Sequence, residues 1–412
     1  MNNPTTCDIF CNVIDNYGDI GVSWRLARQL ANDYGLVVRL FVDDLASFAK
    51  LCPEADPALE VQQRRGVEVR LWSAESFSSH PLPACRPPSP ASGRGIEVAG
   101  DKEKPRVVTA DLVIDAFGCA LPDSYLAAMT ARTVWINLEY LSAEDWVEGC
   151  HRLPSPKPPL TRYFFFPGFT KKTGGLLIER DLLARRDAFL TDSTKQQAFW
   201  QSTGIEMPTA DILKISLFAY ENEAFTSLFD AWVNGNRPVL CLVPEGRILP
   251  LVRQYFGNVE AEDYSRGNLQ LRVLPFVEQE RYDELLWACD VNFVRGEDSC
   301  VRAQWAGKPF VWQIYPQHDA VHWDKLQAFL DIYHEKLSPA ACDAVQNLWR
   351  LWNGGKSTGH EWAAFAAAQE ELNRHAVVWA QELSQNNLAL NLLDFFQEIG
   401  RMRAFEIEEQ RT

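Results

Sequence analysis

Apolar residues come in short runs bounded by charge or by Gly and Pro. In the first half these are Cys7–Val13, Val37–Val42, Val67–Trp72, Leu112–Ala116 and Val134–Leu138. In the second they are Asp211–Phe218, Pro238–Val243, Gln270–Leu274, Val291–Val294 and Phe310–Ile314. Such runs read as strands of a parallel sheet covered on both faces. Between them the period becomes helical: Val22–Asp33 places Val22, Leu26 and Leu30 beside Trp24, Ala27 and Ala31. Glu223–Asn234, Leu249–Tyr255 and Gln279–Ala288 also read as helices, as do Asp324–Leu330, Ala340–Leu351, Trp362–Leu383 and Asn387–Met402. Alternating strands and helices imply right-handed βαβ units. At 412 residues the chain has room for two such halves. The expectation is an α/β protein of two facing Rossmann-like domains around a cleft, residues 1–175 and 176–386.

Two stretches break the rhythm. Ser78–Val108 is rich in Pro, Gly, Ser and charge and reads as an insertion between strands, without catalytic residues. Pro154–Thr173 crowds Tyr163, Phe164, Phe165, Phe166 and Phe169 beside Lys and Arg, and reads as an irregular aromatic wrap or a platform for a substrate.

Candidate chemistry concentrates in Val291–Gln317. Strand Val291–Val294 runs into Arg295-Gly296-Glu297-Asp298-Ser299, and a helix with Val301, Trp305 and Ala306 on one face follows at once. Asp298 and Ser299 are its expected N-caps, and Gly307-Lys308-Pro309 ends it. A strand, tight turn and helix place free amides and a positive helix end at the carboxyl edge of a sheet, where phosphates bind. The reading is a grip on the diphosphate and sugar of a nucleotide sugar. Arg295 would neutralise phosphate, and Glu297 and Asp298 would take sugar hydroxyls. The plainer alternative makes the two acids complements of the helix dipole and Arg295 a strand-end cation.

The loop Asp15-Asn16-Tyr17-Gly18-Asp19-Ile20-Gly21 follows the first strand and enters a helix, so it also faces the carboxyl edge. Asp15 and Asp19 can reach one cleft; alternatively Asp19 caps the helix and Asp15 closes an Asx-turn. Tyr220, Phe276 and Tyr315 fall near strand ends of the second half, where they stack on a base or simply pack.

Composition narrows the function. A formal charge of −15 argues against a nucleic-acid surface. Ten scattered cysteines with no C-x-x-C pair suit a reducing cytoplasm. Neither a signal peptide nor a run long enough to span a membrane is read. His318 and His322 are spaced i, i+4, but Asp319 stands where a zincin has Glu, and no D-x-D occurs, so no metal is expected.

The strings IDNYGDIGVSWRLARQL (Ile14–Leu30), LEYLSAEDW (Leu138–Trp146), GGLLIERD (Gly174–Asp181), LPFVEQE (Leu274–Glu280) and RGEDSCVRAQWAGKPFVWQIYPQ (Arg295–Gln317) resemble the EarP family. These are bacterial protein-arginine rhamnosyltransferases that modify elongation factor P. The resemblance implies a GT-B type glycosyltransferase, dTDP-β-L-rhamnose as donor, inversion, no metal or other cofactor, and one arginine on the N-terminal domain of elongation factor P as acceptor. By position, Asp15 and Asp19 carry the family's catalytic acids of the first domain and Glu297 that of the second. Phe276, Gln279, Arg295, Asp298 and Ser299 fall in donor-binding segments, with Gly18, Tyr220 and Tyr315 as supports. The C-terminal helix, within 387–412, is expected to cross back onto the first domain. The Ser78–Val108 insertion is not part of the family pattern. The rival readings are a transferase of the same architecture with another donor or a small acceptor, and a non-catalytic binder of a translation factor.

Overall fold

A computed structural model describes residues 4–14, 17–73 and 108–409, with backbone alone for residue 318 and residues 406–409. The insertion up to residue 107 and Asp15 therefore lie outside the described residues.

The first half carries strands β1 (Thr6–Cys11), β2 (Val37–Val42), β3 (Val61–Arg64), β4 (Val67–Leu71), β5 (Leu112–Ala116), β6 (Val134–Leu138), β7 (Pro154–Lys157) and β8 (Leu160–Phe165). They form one sheet in the order β3-β4-β2-β1-β5-β6-β8-β7. Its six inner strands are parallel, and β3 and β7 close the edges antiparallel. The second half carries β9 (Leu213–Leu217), β10 (Val239–Pro244), β11 (Asp263–Arg266), β12 (Leu269–Leu274), β13 (Val291–Arg295) and β14 (Phe310–Gln313), ordered β11-β12-β10-β9-β13-β14. Only β11 is antiparallel there.

In both sheets the chain winds outward from the first strand and then reverses. The switch falls between β1 and β5 in one and between β9 and β13 in the other. Ligands of open α/β sheets bind outside the carboxyl ends at such points.

The alternation of side chains explains the double cover. On β1, Cys7, Ile9 and Cys11 join one core cluster with Trp24, Leu26 and Leu30, while Phe10 joins another with Phe41, Trp72 and Tyr125. The long helix Leu388–Glu409 returns to the first half, placing Leu388, Leu392, Phe395 and Ile399 in the cluster that holds β1.

Several expectations shift. Pro154–Thr173 is not irregular throughout: its start forms the β7–β8 hairpin, and β8 pairs with β6. Its aromatic residues pack inward, Tyr163 on Phe395 at 5.4 Å and Phe169 on Phe329 at 4.8 Å. Helix 362–383 is two helices, Gly359–Ala367 and Gln369–Leu383, broken at Ala368. Strands β3 and β11 are mostly polar, VQQR and DYSR, so no continuous apolar run announces them. Among the described residues no helix is long and apolar enough to cross a membrane, and every described cysteine is free.

Candidate active site

Residues from both carboxyl edges line two adjoining cavities. The first, about 640 Å³, is bounded by Tyr17, Phe218, Tyr220, Phe276, Arg295 and the turn that follows β13. The second, about 910 Å³, is bounded by Asp19, Phe117, Tyr140, Trp312, Tyr315 and Lys325. Gly18, Gly296 and Glu297 line both, so the chambers meet at that turn.

The turn is built by conformation and by one hydroxyl. Gly296 takes φ 61°, the left-handed region glycine enters without a Cβ clash. Helix Asp298–Ala306 starts at once, with Glu297 at the N-cap and no side-chain cap bond. Asp298 and Ser299 are therefore in the first turn, not at the cap as expected. Ser299 Oγ accepts from the Arg295 N–H at 3.0 Å and donates to the Arg295 carbonyl. The first intrahelical bond runs from Val301 N–H to the Glu297 carbonyl at 2.9 Å. The amides of Asp298, Ser299 and Cys300 thus precede the ladder at the positive helix end.

Arg295 stands beside them. Its guanidinium carbon is 4.5 Å from the ring centroids of both Phe218 and Tyr220, and its buried Nε has no hydrogen-bond partner. Two ring faces hold a cation without consuming its N–H donors. Those donors stay available to an anion.

Across the cleft, helix Gly18–Asn32 starts at Gly18 rather than Val22, with Tyr17 at its N-cap. Asp19 is thus a first-turn residue and not the cap. Its carboxylate accepts from the Ile14 N–H at 2.9 Å, and it lines the second chamber with Tyr140. Glu297 Oε2 accepts from the Leu141 N–H at 3.0 Å. Burial, then the charges of Asp19 and Glu297, push the Tyr140 phenol well above its usual range.

The expected donor-binding residues divide. Phe276 packs on Tyr17 at 4.8 Å and lines the first chamber with Tyr220. Tyr315, edge-on to Tyr220 at 5.5 Å, faces the second chamber instead. Gln279 and Asp298 border the first chamber but clasp the two halves together. Gln279 Nε2 donates to the Gly21 carbonyl at 2.9 Å, and its Oε1 accepts from Arg28 at 3.1 Å. Asp298 pairs with Arg25 at 3.0 Å; burial pushes its carboxyl up, and Arg25 and Arg302 pull it back. A Cβ on Gly21 would lie 3.3 Å from Gln279 Nε2 and 3.4 Å from Asp298 Oδ2, so the helix passes close to both clasping side chains here.

Behind this clasp lies a buried ion network. Arg25 meets Asp283 at 3.2 Å and Glu179 at 3.3 Å, and Arg302 meets Asp283 at 2.6 Å and Glu179 at 2.7 Å. Sequence reading missed this network, along with Tyr17, Phe117, Tyr140 and Phe218. The string LEYLSAEDW was the available signal for Tyr140. None of Tyr163, Phe164, Phe165, Phe166 and Phe169 lines either chamber. His322 Nδ1 accepts from the Gln317 N–H at 3.2 Å; the His318 side chain is outside the described atoms. Among the described residues no cluster of three or more His, Cys, Asp or Glu is arranged to hold a metal.

Two Rossmann-like sheets face each other, with a helix N-terminus and an arginine on one side and an acid on the other. These features define a glycosyltransferase of the GT-B type. The chain belongs to the EarP family: the family model described as Elongation-Factor P (EF-P) rhamnosyltransferase EarP matches residues 7–397. A protein-arginine rhamnosyltransferase of Pseudomonas putida is 48% identical over 400 residues, covering 95% of this chain and 98% of that one. One from Neisseria meningitidis is 34% identical over 398 residues, covering 92% of each. A solved structure on EarP-mediated arginine glycosylation of translation elongation factor EF-P is similar at TM-score 0.65 and 35% identity, over 95% of this chain and 99% of that one. A Rickettsia africae glycosyltransferase shares the fold at TM-score 0.50 and 10% identity, over 97% of this chain and 99% of that one.

Proposed function

We propose that this enzyme moves L-rhamnose from dTDP-β-L-rhamnose to an arginine on the N-terminal domain of EF-P, with inversion, in the cytoplasm. The observation that carries the reading is the junction of the two chambers: an anion-binding helix end and Arg295 open directly onto Asp19 through Glu297. The names and acceptor of the relatives supply the sugar and the protein partner.

In this reading the thymine lies against Phe276 and Tyr17. The diphosphate meets the amides of Asp298, Ser299 and Cys300 and the free donors of Arg295. Glu297 holds sugar hydroxyls at the junction. A guanidinium is a poor nucleophile, with a pKa above about 12 and delocalised lone pairs. Asp19 accepts a proton from the guanidinium nitrogen as that nitrogen attacks C1. Asp15, the second acid of the loop, grips the guanidinium fork. The C1–O bond breaks on the opposite face and its electron pair leaves on the diphosphate, where the helix end and Arg295 stabilise it. No metal is assigned a part, and the leaving charge falls to amides and side chains. The free described cysteines suit a reducing compartment.

The test is incubation with EF-P and dTDP-rhamnose followed by intact mass and fragment mapping. One deoxyhexose on one arginine is expected. No mass gain despite tight EF-P binding would make the chain a binder, and gain only with another nucleotide sugar would change the donor.

A further inference from the structure

Strand β14 (FVWQ) gives no group to the proposed transfer, yet two of its residues hold the turn after β13. In the β13–β14 ladder Val294 faces Trp312 and Arg295 faces Gln313. The Gly296 N–H extends that ladder by one bond, to the Gln313 carbonyl at 3.2 Å. The chain then turns through φ 61°, and the Gly296 carbonyl accepts from the Trp312 indole N–H at 2.7 Å. Trp312 is buried, with the Phe329 ring edge-on at 5.6 Å. Gln313 serves the other part of the anion site. Its Oε1 accepts from the Tyr220 N–H at 2.9 Å, and the Tyr220 ring is one of the two that hold Arg295.

These bonds decide where the helix begins. An α-helix continues backward wherever the carbonyl of residue i−4 takes the N–H of residue i. Extending Asp298–Ala306 backward would spend the Cys300 N–H on the Gly296 carbonyl and the Ser299 N–H on the Arg295 carbonyl. Both carbonyls are engaged elsewhere. Ser299 Oγ donates to that of Arg295, and the Trp312 indole donates to that of Gly296. The ladder accordingly starts with Val301 on Glu297. The amides left outside it are the ones a helix offers to an anion.

The geometry points to Trp312 as a positioning residue for the donor diphosphate. Acting through the Gly296 carbonyl, its indole N–H stops the helix from closing over its own first amides and keeps them for the phosphates. Trp312 lines the second chamber and not the first, so it supports the diphosphate without touching it. The inference rests on the reading of this helix end as the diphosphate site.

Trp312→Phe keeps a ring and removes the N–H. Calorimetry with dTDP and with thymidine, which lacks the phosphates, separates the anion grip from the base contacts. The preference for dTDP over thymidine is expected to fall about threefold to tenfold, the range one hydrogen bond carries, with thymidine affinity within about twofold of the parent. Phe329→Leu is the control, because it loosens the packing around the indole and leaves the N–H in place. It should lower the melting temperature at least as far as Trp312→Phe and keep the parent's preference. Hydrogen exchange on the parent gives a second reading that needs no variant. Without ligand the Cys300 amide should exchange faster than that of Val301, and dTDP should slow it. An equal loss of preference in Phe329→Leu overturns the inference, as does a matching fall in thymidine affinity, since either marks a merely structural residue. Protection of the Cys300 amide in the free protein overturns it as well. If the parent binds dTDP no more tightly than thymidine, the diphosphate reading itself has failed and Trp312 has nothing to support. If the parent prefers dTDP and Trp312→Phe keeps that preference, only the positioning role has failed.

Discussion

Two charged clusters lie in the same interface and are built largely from the same helices. Gly18–Asn32 supplies Asp19 to one and Arg25 to the other; Asp298–Ala306 supplies its N-terminal turn to one and Arg302 to the other. In the network of Arg25, Arg302, Glu179, Asp283 and Asp298, each guanidinium faces carboxylates, and the side chains of both arginines are 1% exposed. In the other cluster the polar groups border cavities, and Arg295 keeps an unpartnered Nε. The contrast separates two uses of charge. A buried set must be internally complete, because an unpaired ion away from water is costly. A site for an anion and a cation must be left incomplete, so that the ligands complete it.

The comparison is broken most severely by Asp283→Ala. That change strands Arg25 and Arg302 in the interface, so a stability loss of about 3–5 kcal/mol is expected from thermal or denaturant melts, with activity lost alongside. Unaltered melting would mean that the network is dispensable to the fold. Asp19→Asn should act oppositely. Turnover drops by about 10²–10⁴-fold, while dTDP affinity and melting temperature stay at the parent values. Loss of dTDP binding in calorimetry would make Asp19 a donor ligand instead.

Arg295→Gln comes next. Removing a charged contact to diphosphate should weaken dTDP by about 10–100-fold. An unchanged dissociation constant would take Arg295 out of the anion site.

The smallest effect concerns pH. Burial alone would raise the Glu179 carboxyl, but Arg302 and Arg25 outweigh it and hold it well below the usual glutamate range. A carboxyl with a depressed folded-state pKa contributes stability above its unfolded pKa, and this is lost as pH falls toward the folded value. Melting temperature should therefore drop between pH about 5 and 3 more steeply in the parent than in Glu179→Gln. Parallel curves would show that Glu179 titrates alike in both states.

Much of this was legible before any coordinates. The short, mostly apolar runs placed β2, β5 and β6 at their observed bounds, because a strand covered on both faces is largely apolar; Arg39, Asp115 and Asn137 are the buried polar exceptions. Gly296 and Gly307, at φ 61° and 63°, marked the turn and the helix end because those conformations exclude most side chains. Helix starts were less legible: Asp19 and Asp298 both read as caps, yet the helices begin earlier, at Gly18 and Asp298, with Tyr17 and Glu297 at the N-caps. Gln279 and Asp298 carried the right chemistry for a ligand, but their partners come from a helix some 250 residues away in sequence, at |i−j| = 258 and 273.

What the sequence by itself determined is local and repetitive: two parallel sheets, the β13 turn with its arginine and helix end, and the loop that carries Asp19. Those follow from periodicity, backbone freedom and short-range hydrogen bonding, which a few neighbouring residues dictate. Only the tertiary structure decided which polar side chains are spent on holding the halves together and which remain for a substrate. It also brought Tyr140 and Asp19 to one chamber and Leu141 to Glu297. Such pairings depend on how two separately wound sheets meet, and no spacing along the chain records the distance between them.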